Sequence, residues 1–210
     1  MTLIQTLEDD LQFIMNNDPA AKSKLEILLC YFGLHAVYMH KLAHWFYRQK
    51  LYLLARLLSN FTRFVTGIEI HPGAKLANKI FIDHGVGVVI GETAELEEEV
   101  IIYQGVTLGG TSTKQEKRHP TIKKGCVIGA HAQVLGNITI GENVRIGSGS
   151  VVIKSVPDNS TVVGIPARIA GQPLGEKLEH NLLPDFLFDY LKRLEAEIEE
   201  LKGRSTEQKL

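Results

Sequence analysis

The sequence predicts an α+β protein in which helices come first and a long array of short strands follows. Two observations support this prediction: apolar residues recur every three or four positions over residues 1–66, and every six positions over residues 67–171. The first spacing is typical of amphipathic helices, whereas a unit of six is one short strand plus a corner. The remaining segment, 172–210, contains a candidate helix at about 184–202.

Composition excludes several classes of protein. Lys and Arg number 23 against 24 Asp and Glu, so no basic excess is available to bind a nucleic acid backbone. No apolar run approaches the roughly 18 residues that span a bilayer, and the N-terminus carries acids where a secretory signal carries bases. We therefore expect a cytoplasmic protein without membrane or nucleic-acid partners. Cys30 and Cys126 are far apart and outside any CxxC motif, so we interpret both as small core residues.

The helical segment contains one clear stop signal at Asn17, Asp18 and Pro19. Asp is a favourable N-cap and Pro suits the first helical position, so we expect one helix to end near Asn16 and another to start after Asp18. The histidines and the tryptophan that follow are interpreted as helix-packing residues: His35, His40, His44 and Trp45.

The array of six-residue units is most regular after residue 122. Every sixth position from Ile122 to Val152 is aliphatic, and the position four residues further on is small or β-branched. We expect the aliphatic residue of each unit to point into a narrow triangular prism, with three units closing one coil. Because a single coil cannot bury its inner face, the coils must stack to form a core.

Two breaks interrupt the array. The frame slips by two between Val88 and Ile90, and the spacing from Leu108 to Ile122 is eight residues longer than one unit. The excess is the polar stretch 111–120. Segments that leave a regular solenoid commonly carry function, so we expect the active residues at these breaks.

Five segments carry a resemblance to a known family, three of them in or beside the breaks and two elsewhere in the array. They are DHGVGVVIGET (83–93), QGVTLGGT (104–111), RHP (118–120), IHPGAK (70–75) and VGIPAR (163–168). Together they resemble the serine O-acetyltransferases, over a stretch from about Asp18 to Gly171. The resemblance implies a left-handed parallel β-helix, although the general rule for parallel crossovers favours right-handed connections. It also implies acetyl transfer from acetyl-CoA to the hydroxyl of L-serine, giving O-acetyl-L-serine for cysteine synthesis, with L-cysteine as feedback inhibitor.

The family motifs imply three catalytic residues. An imidazole, whose ordinary pKa is about 6.5, suits removal of a hydroxyl proton at neutral pH, and the family places His84 in this role. Glu69 stands where the family often has Asp, and would orient that base. His119 would flank the acceptor and assist the base or the tetrahedral oxyanion.

Serine is a zwitterion, so its site requires both signs of charge. The resemblance assigns the carboxylate to Arg118, which can bind it with two hydrogen bonds, and the ammonium to Asp18, Asp83 and Glu92. No metal is expected. Acetyl-CoA would lie along the prism wall, near backbone amides and a basic residue: Gly110, Ala130 and Arg168.

Three other functions remain open from the sequence. One is an acetyltransferase for a sugar or another small hydroxyl or amine acceptor, which would lack the helical start and the RHP loop. A second is a metal-dependent hydratase built on a β-helix, but His119 and His131 are twelve residues apart and form no close pair of ligands. The third is a non-catalytic scaffold.

Assembly is expected from the resemblance and from the C-terminal segment. In this family the site lies between neighbouring subunits of a trimer, and we favour a trimer over a dimer of trimers. Apolar residues also follow the spacing of a coiled-coil seam: Leu187, Leu191, Leu194, Ile198 and Leu201. The alternative is a helix that packs on its own prism. Family members that bind cysteine synthase, the O-acetylserine sulfhydrylase, end in Ile; this chain ends in Leu210, so we do not expect that complex.

Overall fold

A computed structural model describes residues 2–171 and position 198. The C-terminal helix predicted at about 184–202 therefore lies outside the described residues, apart from Ile198. The described chain begins with four helices: α1 (Leu3–Asn17), α2 (Lys24–Cys30), α3 (Phe32–Arg48) and α4 (Tyr52–Thr66). A capping box between Thr2 and Gln5 starts α1 by satisfying backbone donors of its first turn.

Asp18 does not begin the second helix, so that prediction was wrong. Its Oδ1 accepts a hydrogen bond from the backbone of Ala20 at 2.8 Å, and the N-cap of α2 is Ser23, whose Oγ accepts from Glu26 N at 3.1 Å. An aspartate side chain can bond either to a helix start or to the backbone two residues on, and here the turn prevails.

Fifteen short strands follow the helices in the described chain. They are β1 (Glu69–Ile70), β2 (Lys75–Leu76), β3 (Ile80–Ile82), β4 (Val89–Ile90), β5 (Glu95–Leu96), β6 (Val100–Ile102), β7 (Thr107–Gly109), β8 (Thr121–Ile122), β9 (Val127–Ile128), β10 (Gln133–Leu135), β11 (Thr139–Ile140), β12 (Arg145–Ile146), β13 (Val151–Val152), β14 (Thr161–Gly164) and β15 (Ala167–Gly171).

The strands form the three faces of a triangular prism. Face A is β1-β4-β7-β10-β13, face B is β2-β5-β8-β11, and face C is β3-β6-β9-β12-β14, with β15 added antiparallel to β14. Up to β13, each strand of a face pairs in parallel with the strand three places along the chain, which is the left-handed parallel β-helix implied above. The last parallel pair of face C joins β12 to β14, two places along, because Val156 forms only an isolated bridge with Ile140. The predicted inward residues are all buried, at 0–2% exposure: Ile122, Ile128, Val134, Ile140, Ile146 and Val152.

Strand register locates the two breaks. A regular coil advances 18 residues, as from Val89 to Thr107, whereas the coil from Glu69 to Val89 takes 20. The coil from Thr107 to Gln133 takes 26, so the eight extra residues of the second break are confirmed. They form the loop that leaves the prism between β7 and β8.

The first break lies earlier than predicted. Ile70 pairs with Ile90, so the two extra residues belong to the corner between Ile82 and Val88 rather than to the step from Val88 to Ile90. Val88 is fully buried and occupies an ordinary inward position. Gly85 and Gly87 turn the enlarged corner with φ of 80° and 77°, a conformation that favours glycine.

The helices dock on the start of the prism. In α4, Ser59 Oγ donates a 2.7 Å hydrogen bond to the carbonyl of Ile70. At the start of α3, Gly33 lies so close to β3 that a Cβ atom would be 2.0 Å from the carbonyl oxygen of Ile82. This contact fixes α3 directly beside the enlarged corner.

The two cysteines differ in their surroundings. Cys126 is fully buried, as predicted, but Cys30 is exposed at the end of α2, so its interpretation as a core residue was wrong. The helical period around Cys30 did not reveal which face of this short helix is covered. Within residues 2–171, no helix is both long enough and apolar enough to cross a membrane.

Candidate active site

The first cluster of predicted residues surrounds the enlarged corner, residues 83–88, which joins face C to face A. The His84 side chain is 72% exposed, and its Nε2 lies 3.9 Å from Oδ2 of Asp83. His84 has φ of 57°, a conformation that few residues other than glycine adopt. The corner therefore presents an imidazole to solvent with a carboxylate beside it.

Asp18 joins this cluster through a residue that sequence reasoning missed. Tyr31, between α2 and α3, donates a hydrogen bond of 2.5 Å from its hydroxyl to Asp18 Oδ2. Asp18, Tyr31, Asp83 and His84 line one open cavity of about 330 Å³. Burial and the charge of Asp18 raise the pKa of Asp83, while His84 opposes the shift. A cation between the two carboxylates would relieve their repulsion.

The second cluster lies where face A meets face B. Arg118, on the extruded loop, donates from NH2 to Glu92 Oε2 at 2.6 Å, and the Tyr47 hydroxyl donates to Glu92 Oε1 at 3.1 Å. Burial alone would raise the pKa of Glu92, but these two hydrogen bonds hold it below its usual range. The expectation that Arg118 and Glu92 contact opposite ends of serine differs from this arrangement, in which they contact each other.

His119 is buried in the second cluster, at 7% exposure. Its Nδ1 lies 2.9 Å from Thr93 Oγ1 and accepts from the Thr93 backbone N–H at 3.2 Å. The imidazole packs against the backbone of Gly91, where a Cβ atom would be 2.0 Å from the ring. Burial and then the charge of Arg118 lower the pKa of His119.

Glu69 has a different contact from the one expected. Its Oε2 accepts from Arg63 NH1 at 2.9 Å, whereas the carboxylate found within 4 Å of the His84 ring in the described chain is that of Asp83. Both members of the Arg63–Glu69 pair are partly exposed, at 58% and 31%. Exposed pairs of this kind are weak, so Glu69 is free to exchange partners at little cost.

The three residues expected at acetyl-CoA do not form one cluster. A Cβ on Gly110 would be 3.1 Å from both Arg118 Cγ and His119 Nε2, so Gly110 borders the second cluster. Ala130 lies in a corner between faces C and A, on the same prism edge as His84. Arg168 lies on β15, where it lines a separate cavity with Lys154 near the end of the prism.

The two clusters flank a single strand. Asp83 and His84 precede β4 and Glu92 follows it, so they occupy opposite edges of face A. The five steps from Gly87 to Glu92 span roughly 16 Å at about 3.3 Å per residue. A free amino acid is far shorter than this separation.

Sequence reasoning missed Tyr31, Tyr47 and Thr93. Thr93 stands in the GET segment, so its position was visible although its role was not. Tyr31 and Tyr47 carried no signal, because their hydrogen bonds depend on how the helices pack against the prism.

Comparison with known proteins identifies the family. Residues 119–154 match the family model for the bacterial transferase hexapeptide (six repeats). The chain is 52% identical to a serine acetyltransferase of Bacillus pumilus, over 94% of this chain and 92% of the relative. It is also 52% identical to the serine acetyltransferase of Bacillus subtilis, over 97% and 95%.

Solved structures give the same result. A Neisseria gonorrhoeae serine acetyltransferase in complex with serine superposes with a TM-score of 0.77 at 43% identity, covering 80% of this chain and 69% of that one. A Brucella abortus serine acetyltransferase in complex with coenzyme A gives 0.79 at 43%, covering 82% and 69%. A serine acetyltransferase in complex with cysteine gives 0.78 at 40%, covering 80% and 70%. The chain therefore belongs to the serine acetyltransferases, which transfer the acetyl group of acetyl-CoA to the hydroxyl of serine.

Proposed function

We propose that acetyl transfer takes place between two copies of the chain, with the His84 corner of one copy facing the Arg118 loop of the next. The observation that carries this proposal is the separation of the two clusters by β4 across face A. Since one serine is too short to reach both within a single chain, a second copy is required to bring them together. A trimer of prisms supplies three such sites, each formed from one edge of two neighbours.

In this site His84 acts as the general base. It removes the proton of the serine hydroxyl as the oxygen attacks the thioester carbonyl, and the protonated imidazole then donates the proton to the sulfur of the departing CoA. Asp83, 3.9 Å away, stabilises the imidazolium, and Glu69 is the second carboxylate available to do so. The acetyl group passes directly to serine. Cys30 also lines the cavity with His84, Asp18 and Tyr31, so its thiol is the side chain that a covalent alternative would use.

Serine is held by its two charged groups. The ammonium lies between Asp18 and Asp83, where it offsets the repulsion that raises the pKa of Asp83. The carboxylate binds Arg118, and Glu92 holds the guanidinium in place rather than contacting serine. L-cysteine carries the same two groups and competes for this site, a proposal supported by the relative bound to cysteine.

Acetyl-CoA lies along the prism between the two edges. Its pantetheine arm contacts the backbone near Gly110 and Ala130, which border the joined site from the two copies. Its phosphates lie near Arg168 and Lys154, the two cations of the cavity at the end of the prism.

Mixing two inactive variants tests whether the site is shared. His84→Ala and Arg118→Ala each disable one edge, so each alone should lose most of its CoA-release activity with serine. When the two are mixed under conditions that exchange subunits, about a quarter of the interfaces in a random trimer combine two intact edges. Activity should therefore return to about that fraction of wild type.

A matched control separates recovery from residual activity. Mixing His84→Ala with the double variant His84→Ala/Arg118→Ala creates no intact site and should stay inactive. If the first mixture also stays inactive although its subunits exchange, the site belongs to a single chain and the shared-site proposal is wrong. A ping-pong initial-rate pattern would separately contradict direct transfer.

A further inference from the structure

We infer that Thr93 is a positioning residue for the reaction, which holds His119 as a neutral imidazole with its proton on Nε2. The inference rests on the proposed function, because it assigns the way in which His119 serves the shared site. It comes from the hydrogen bonds around one hydroxyl group.

The Thr93 hydroxyl has partners for all of its hydrogen-bonding capacity. Its oxygen accepts from the backbone N–H of Arg118 at 3.0 Å and from that of His119 at 3.1 Å. A hydroxyl has two lone pairs and one proton. Because backbone N–H groups can only donate, both lone pairs are used, and the proton is directed to His119 Nδ1 at 2.9 Å.

A second donor reaches the same ring nitrogen. The backbone N–H of Thr93 points at His119 Nδ1 from 3.2 Å. An Nδ1 that accepts two hydrogen bonds carries no proton, so the proton of the neutral ring is on Nε2. Protonating Nδ1 would place three donors against one another in a buried space. The lowered pKa of His119, caused by burial and then by Arg118, agrees with a ring that stays neutral.

The ring position places the Nε2 proton at the prism edge. The flat ring lies on the backbone of Gly91, and Nε2 is 3.1 Å from the Cβ position of Gly110. A neutral N–H held in this way can donate to an anionic oxygen, either the carboxylate of serine or the oxyanion of the tetrahedral intermediate. It cannot act as a base through Nε2.

Thr93 also fastens the extruded loop. Besides the two backbone bonds from Arg118 and His119, its carbonyl accepts from Lys117 Nζ at 2.6 Å. The same residue therefore positions the loop and selects the tautomer of its histidine. Valine has nearly the same shape but has no hydroxyl, and serine keeps the hydroxyl, so the two substitutions separate shape from hydrogen bonding.

The test compares Thr93→Val with Thr93→Ser in the assembled enzyme. With CoA release as the assay, Thr93→Val should lower kcat/KM for serine about 10- to 100-fold, and Thr93→Ser should stay within about threefold of wild type. If the decrease in kcat/KM comes from a higher KM, the Nε2 donor binds the serine carboxylate. If it comes from a lower kcat, the donor stabilises the oxyanion. Equal activity of Thr93→Val and wild type would overturn the inference.

Two further measurements exclude a general effect on folding. Nitrogen-15 NMR of the wild-type protein, with the His119 signal identified by its loss in His119→Ala, should show the Nε2–H tautomer; a proton on Nδ1 would overturn the inference even if Thr93→Val fails to fold. In a His119→Ala background, Thr93→Val should cost clearly less than it does in the wild type, since the Nε2 donor is already absent and only the bonds that fasten the loop are lost. The full loss in that background would show that Thr93 acts without His119.

The controls also separate this inference from the proposed function. If His119→Ala is strongly impaired while Thr93→Val is not, only the positioning role fails. If His119→Ala keeps wild-type activity, the role of His119 in the shared site fails, and the inference fails with it.

Discussion

The imidazole of His119 occupies space that only a glycine at position 91 leaves open. The three nearest atoms to a Cβ built on Gly91 all belong to that ring, at 2.0, 2.1 and 2.9 Å. Gly91 has an ordinary backbone conformation, so the requirement is for space rather than for an unusual φ. The glycine of the GET segment therefore makes room for the extruded loop that carries His119.

Gly91→Ala should displace His119 and impair the enzyme. We expect a loss of about 1–3 kcal/mol in the free energy of unfolding, typical of overpacking, and a lower kcat/KM for serine. Urea denaturation and the CoA-release assay measure the two effects. In a His119→Ala background the stability loss should largely disappear, and an undiminished loss would show that the clash involves another group.

His40 introduces a pH dependence into stability. It is 4% exposed, and burial, followed by the charges of His44, His71 and Lys41, lowers its pKa to about 3, although a backbone bond to Ala74 opposes the shift. The folded state keeps this ring neutral, whereas the unfolded chain binds a proton below about pH 6.5. The contribution of neutral His40 to the free energy of unfolding is therefore present above pH 6.5 and is lost as the pH falls towards 3.

His40→Gln should flatten this dependence. Wild-type stability measured in urea should fall between pH 7 and pH 5 by on the order of 1–2 kcal/mol from this residue, and the fall should be smaller in the variant. His131→Asn, at an exposed position, offers a control for the loss of one imidazole from the chain. Identical slopes for His40→Gln and wild type would show that another group is responsible.

Residue types at the site were predictable from the sequence, but their partners were not. The motifs indicated Arg118 and Glu92, yet their mutual ion pair depends on how the loop folds back over face A. Likewise, the contact between Glu69 and Arg63 joins a strand to α4. Sequence spacing gives no information about which of two nearby charges a side chain will reach.

At the scale of elements, the prism was the most predictable part of the chain. A repeat of six imposes one inward residue per strand, so the period alone fixes face and register. Helix boundaries were less predictable, because one polar side chain can either cap a helix or bond to the backbone of a turn. The Asp18 side chain bonds to the backbone of Ala20 and so forms a turn instead of a cap. The position of the first break was misplaced because Val88 fits the inward pattern in either frame.

Gly33 provides the close contact between α3 and the strand that leads into the enlarged corner. An alanine Cβ there would be 2.0 Å from the Ile82 carbonyl, a backbone atom that cannot move aside. Replacing Gly by Ala inside a helix ordinarily stabilises a protein by about 1 kcal/mol. A loss of stability in Gly33→Ala would therefore show that the added Cβ clashes with β3. We expect Gly33→Ala to lower the thermal unfolding temperature and, by shifting Tyr31 and Asp18, to raise KM for serine. A stabilised variant would show that α3 does not press on β3.

At the scale of the whole molecule, the prism separates the two clusters of side chains that we propose bind one serine together. Face A lies between them, so in the shared site that we propose catalysis would depend on how prisms assemble. The helical region also exposes a stripe of apolar side chains on α4, at 57–87%: Leu53, Leu57, Phe61 and Phe64. Exposed apolar patches of this kind mark interaction surfaces, which agrees with the proposed assembly of several copies.

Assembly and activity should therefore fall together. Light scattering of the full chain should give three times the monomer mass, and on dilution the activity per subunit should decrease as the trimer dissociates, because each site requires two edges.

A chain truncated after Pro173 should dissociate at a higher concentration if the apolar spacing of Leu187, Leu191 and Leu194 reflects a seam between copies. An unchanged trimer after truncation would assign that segment to its own prism. A full-length monomer with undiminished activity would contradict the shared site, since a single chain holds His84 and Arg118 on opposite edges of one face.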